Sequence, residues 1–147
     1  MKLTHLDESG RARMVDVSRK QAGRREARAE GRVFVSAPTA ELVTAASLPK
    51  GNPFEAARLA GIQAAKITSQ IIPLCHNLPL DWVNVDVQLE GNCFLIAAEV
   101  VCRSATGVEM EALTAVSAAA LTLYDMCKAV DKEIVIGDIR LVYKRKE

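Results

Sequence analysis

The chain has 147 residues, half of them hydrophobic but only 4% aromatic, and a formal net charge of +1. That length predicts one domain, residues 1–147, with an aliphatic, alanine-rich core. A near-zero charge excludes a global field for polyanions, so nucleic acid is not an expected partner and any anion site must be local. Cys75, Cys93, Cys102 and Cys127 form no CxxC pair. No secretory leader is read, and no apolar run approaches the ~20 residues of a membrane span. The expectation is a cytoplasmic protein with free thiols and no membrane partner.

In chain order, residues 1–10 read as a frayed start and Arg13–Ser18 as a short strand. From Arg24 to Ser36, Arg25, Ala27, Ala29, Gly31, Val33 and Val35 share one parity, and Arg24, Glu26, Arg28, Glu30, Arg32 and Phe34 the other. This is strand alternation, although the alanines leave a helix over 24–30 open. Pro38–Ser47 reads as a short helix. Asn52, Pro53 and Glu55 supply a cap, a proline at the first position and a first-turn acid for a helix running to about Ile72. Val83–Leu89 alternates as a half-buried strand, Gly91-Asn92 turns, and Cys93–Arg103 returns as a more buried one. Thr106 and Glu109 have capping-box spacing for a long helix to Val130. Ile134–Tyr143 is a last strand, and residues 144–147 read as a frayed end. Strand, strand, helix, helix, hairpin, helix, strand predicts an α+β fold, a mainly antiparallel sheet with helices on one face, nearest to the βαββαβ split motif.

Ionisable residues on the apolar 106–130 helix draw attention first. Asp125 and Lys128 are three apart, on one face, and hold each other ionised, as an ordinary surface pair or as a pair poised for proton transfer. Glu111 precedes Asp125 by 14 residues, roughly 21 Å of helix, so either it is structural or a site is assembled from two subunits. Glu109 reads as the capping acid, with substrate contact as the alternative. Cys75-His76 in a loop could be a thiol–imidazole pair, metal ligands with a partner such as Cys127, or a satisfied loop histidine. Arg25, on the apolar side of its strand, either meets an anion or reaches solvent from the strand start. Lys50 sits in a Pro-Lys-Gly loop, and Lys66 interrupts an alanine-rich helix face.

Met14–Ser18, Lys50-Gly51, Ala57–Lys66, Ile72–His76, Thr106–Thr114 and Leu123–Val130 together resemble the MoaC family, the cyclic pyranopterin monophosphate synthases of molybdenum-cofactor biosynthesis. The resemblance covers about residues 11–143. It implies a ferredoxin-like subunit, a hexamer built as a trimer of dimers, and active sites at subunit contacts. It implies a lyase that converts 3′,8-cyclo-7,8-dihydro-GTP, supplied by a radical S-adenosylmethionine enzyme, to cyclic pyranopterin monophosphate with release of pyrophosphate. Catalytic roles fall on Asp125, Lys128 and Lys50. Substrate contacts fall on Leu74, Cys75, His76, Met110, Glu111 and Arg25. A triphosphate needs several cations, which Arg25, Lys50, Lys66 and Lys128 can supply. No redox cofactor or resident metal is expected, though a divalent cation accompanying the triphosphate is compatible. Gly23 stands where the family usually has threonine, Ala105 where it has lysine, and no Gly-Gly-Lys-rich tail follows residue 143. The competing expectations are a Cys75/His76 nucleophile acting on acyl or phosphoryl groups, and a nucleotide-binding regulatory or weakly active relative.

Overall fold

The computed structural model describes all residues, Met1–Glu147. Four strands and four helices follow in the order β1 (Gly23–Phe34), α1 (Ala37–Thr44), α2 (Pro53–Lys66), α3 (Thr68–Ile71), β2 (Trp82–Glu90), β3 (Cys93–Ser104), α4 (Glu109–Cys127) and β4 (Val135–Lys146). The sheet order is β2-β3-β1-β4, every pair antiparallel. This is the ferredoxin-like α+β arrangement expected from the sequence. The Arg24–Ser36 alternation forms a strand, not a helix: Ala27, Ala29, Gly31 and Val33 are buried against α4 and its neighbours. The other parity makes ion pairs on the outer face, Arg28 with Glu99 at 2.6 Å and Arg24 with Glu26 at 2.7 Å.

Small residues let the layers approach closely. A methyl group on Gly31 would lie 2.7 Å from a Val116 methyl of α4, and one on Gly61 would lie 3.0 Å from the Ala115 carbonyl. Helices α2 and α4 run antiparallel: Gly61 meets Ala115, while Lys50, just before α2, meets Asp125 near the end of α4. The core they close is aliphatic, with Phe94, Ile96, Leu123, Val85, Val100 and Val116 among its largest fully buried side chains.

Besides shifts of a few residues, with α1 ending at Thr44 and α4 at Cys127, the structure departs from the sequence-based expectation in four places. Arg13–Ser18 joins no sheet; the strand-type pairing of the N-terminal region is an isolated bridge between Leu6 and Ala12. Helix α2 ends at Lys66, and after Ile67 the chain restarts as the one-turn α3. The Thr68 hydroxyl donates to the Ala64 and Ala65 carbonyls at this break. Helix α4 starts at Glu109, with no side-chain cap. A capping box needs the Glu109 carboxylate on the Thr106 N–H, but that N–H donates to Ser104 Oγ and Glu109 pairs with Lys144. Strand β4 continues past Tyr143 to Lys146, which pairs with Arg25, so Lys144–Lys146 are sheet residues.

Candidate active site

At the C-terminal end of α4 the structure brings together three residues from two distant stretches. The Lys50 ammonium donates to the Asp125 carboxylate at 3.0 Å and to the Asp125 backbone carbonyl at 3.0 Å. Lys128 Nζ lies 3.0 Å from the other Asp125 carboxylate oxygen. Lys50 is held there by a tight turn: Gly51 takes φ 96°, a conformation open to glycine, and Asn52 then caps α2 through the Phe54 N–H. Hydrogen bonds from Lys128 and Lys50 pull the Asp125 carboxyl below its ordinary range. All three side chains are about half exposed. This is an ionised carboxylate clamped by two cations on an open surface.

At the N-terminal end of α4 lies a second, different site. A cavity of about 260 Å³ is lined by residues that include Leu74, Cys75, His76, Met110 and Glu111, with Val15 and Lys20 from the N-terminal segment. Glu111 is only 4% exposed. Burial, reinforced by the charge of Glu109, pushes its carboxyl up to about 7. Burial and the Glu111 charge push the neighbouring Cys75 thiol up as well. A nucleophilic thiolate is favoured by the opposite shift. Cys75 and His76 stand in no group of three or more His, Cys, Asp or Glu side chains that could hold a metal ion. Cys127 lies at the other end of α4 and is free and buried.

A third pocket of about 280 Å³ shares Gly107 and Glu109 with the second and is otherwise basic: Arg25, Lys144, Arg145 and Lys146 line it with Glu26. Arg25 does not reach freely into solvent. Its guanidinium donates to the Ala105 carbonyl at 3.1 Å and to Ser104, which aims it along the rim of this pocket. Glu109, expected to cap α4, lies 3.1 Å from Lys144 Nζ here. Lys144 is one of the cations that sequence reasoning missed, with Arg145 and Lys146. Its signal was the 2-residue period of β4, which places Val142, Lys144 and Lys146 on one side had the strand been extended far enough. Lys66 joins none of these clusters; it is exposed at the end of α2.

Fold and site together define a ferredoxin-like domain carrying two unlike charged clusters at opposite ends of one helix. The chain belongs to the MoaC family, whose sequence profile matches residues 14–147. It is 56% identical over 146 residues to a cyclic pyranopterin monophosphate synthase of Pelotomaculum thermopropionicum, covering 97% of this chain and 85% of that protein. The synthase of Chloroflexus aggregans is 54% identical over 145 residues, covering 97% and 88%. A molybdenum cofactor biosynthesis bifunctional protein of Chlorobaculum tepidum is 55% identical over 144 residues. The chain spans about half of that longer protein, 46% of its length.

Proposed function

We propose that the protein is a cyclic pyranopterin monophosphate synthase. It takes 3′,8-cyclo-7,8-dihydro-GTP from an upstream radical S-adenosylmethionine enzyme, rebuilds its rings and releases pyrophosphate, in the cytosol and without a redox cofactor. A divalent cation travels, if at all, with the triphosphate. The observation that carries this reading is the convergence of Lys50 and Lys128 on Asp125. The pair of ammonium groups keeps the carboxylate ionised as a proton acceptor, and the same ammonium groups can stabilise charge on a departing phosphate. The N-terminal half-site, with His76, Glu111 and Met110, receives the base-derived part. The adjoining basic pocket of Arg25, Lys144 and Lys146 receives phosphate oxygens.

Glu111 and Asp125, near the two ends of α4, are 14 residues apart, roughly 21 Å, too far for both to touch one reacting centre. One site is therefore assembled from the C-terminal end of one α4 and the N-terminal end of a neighbouring subunit's. A closed homo-oligomer, a hexamer built as a trimer of dimers, supplies such contacts. The test is direct: incubate the purified protein with the cyclised dihydro-GTP and follow the pterin product by fluorescence after oxidation and pyrophosphate by a coupled assay. Stoichiometric product and pyrophosphate are expected. Nucleotide binding without turnover would instead support a regulatory relative.

A further inference from the structure

The N-terminal segment, expected as a strand, does something else. It crosses the 74–78 loop, and Val15, half-buried, places its backbone carbonyl 2.6 Å from His76 Nε2. A carbonyl oxygen only accepts hydrogen bonds, so Nε2 carries the hydrogen whether the ring is neutral or charged. The other ring nitrogen has no hydrogen-bond partner in the protein, and no buried side-chain nitrogen or oxygen is left unsatisfied. Nδ1 therefore faces open space, and His76 lines the cavity with His5, Lys20, Cys75, Glu109 and Glu111.

From this geometry we infer that Val15 fixes the tautomer of His76, so that His76 meets the substrate through a bare Nδ1 acting as hydrogen or proton acceptor. Val15 is a positioning residue. Its backbone does for the imidazole what a carboxylate or carbonyl partner does for many functional histidines, namely choosing which nitrogen is bare. Residues Val15–Val17 form a strap over the loop, and the ordered turns flanking them, Arg13 N–H to the His5 carbonyl at 2.8 Å and Lys20 N–H to the Val17 carbonyl at 3.0 Å, hold it in place. The inference rests on the proposed synthase reading only for the identity of the substrate.

The test uses the full-length protein with ¹⁵N in its imidazole rings. It has two histidines, His5 and His76, and the resonances that vanish in His76→Gln belong to His76. The neutral His76 ring is expected to show hydrogen on Nε2 and a pyridine-type Nδ1. A ring protonated on Nδ1, or one averaging between tautomers, overturns the inference. A second measurement separates the two nitrogens. A glutamine amide reaches the Nε2 position and can still donate to Val15, but offers nothing where Nδ1 stood. His76→Gln is expected to keep the slow hydrogen exchange of the Arg13 and Lys20 amides while losing turnover about 10²-fold; His76→Phe is expected to lose both. Wild-type turnover in His76→Gln, or equal loss of protection in the two variants, overturns it. A wild-type protein with no synthase activity would sink the proposed function, whereas the tautomer spectrum and the exchange data decide the role of Val15 regardless.

Discussion

The two ends of α4 carry the same kind of group in opposite states. Asp125, at the last turn, is half exposed and held by Lys50 and Lys128, which keep it ionised. Glu111, in the first turn, is almost fully buried and its carboxyl is pushed up to about 7. One helix thus presents a permanent carboxylate at one end and a carboxyl poised near neutrality at the other. The difference lies in what surrounds each group and not in the groups themselves: two ammonium ions in one case, burial reinforced by the charge of Glu109 in the other.

The largest break in that contrast comes from removing the charge at the ionised end. Asp125→Asn keeps the shape but removes the acceptor, and turnover on the cyclised dihydro-GTP is expected to fall about 10²- to 10⁴-fold. Thermal unfolding should barely change, because the side chain is half exposed. A large loss of stability in this variant would mean that the Asp125 cluster is a structural clamp and not the working end.

Mixing variants sharpens the comparison across subunits. Asp125→Asn disables the C-terminal half-site and His76→Gln the N-terminal one. If each site draws on two chains, co-refolded oligomers of the two inactive variants should recover roughly a quarter of wild-type turnover under random mixing. No recovery at a verified mixed stoichiometry would place both half-sites in one chain's site and contradict the geometry of α4.

How far this was readable beforehand differs between the two ends. Asp125 and Lys128 are three apart on a helix, so their pairing follows from helical spacing alone. Lys50 joins them across 75 residues, and nothing local predicts that contact; it came from the family resemblance and the structure provides it. The basic pocket was half legible. Arg25 fell on the inward parity of β1, but Lys144 looked like a frayed terminus because charged residues dominate the end of the chain. Pairing with β1 decides otherwise, and strand pairing is a long-range property. The capping-box error has the same origin. Thr106 and Glu109 have the right spacing, yet Ser104 and Lys144 bind the groups the box needs. The segment at Val15 was read as a strand because Arg13–Ser18 is a short apolar run edged by charge, which says nothing of whether a neighbouring strand is there to receive it.

A smaller effect tests the buried end. An unfolded Glu111 titrates near 4.5 and the folded one near 7. Between these values the folded chain keeps a proton that the unfolded chain has lost, so stability falls as pH rises through this window, and the penalty is complete above it. Glu111→Gln removes the ionisation and keeps the shape. It is expected to match wild type at about pH 4 and to exceed it by up to roughly 3 kcal/mol at about pH 8 in denaturant melts. Asp125 has the opposite sign, since its lowered carboxyl adds stability that disappears as pH falls through its folded value. A pH-independent difference between Glu111→Gln and wild type would show that the buried carboxyl does not titrate in this window.

The smallest expected effect is at Cys75, and it separates the synthase from a thiol enzyme. The thiol is half-buried beside Glu111 and is harder to ionise than a free cysteine. Replacing it by serine exchanges one small polar group for another and leaves the backbone of Leu74–His76 unchanged. Cys75→Ser is therefore expected to keep turnover within about threefold of wild type, while Lys128→Ala loses about 10²-fold or more because the carboxylate and the leaving phosphate both lose a cation. A nucleophilic cysteine demands the reverse ranking, since serine without an activating base is a far weaker nucleophile at neutral pH. Measuring both variants in one assay decides between the classes, because a general loss of folding would lower both and neither mechanism predicts that.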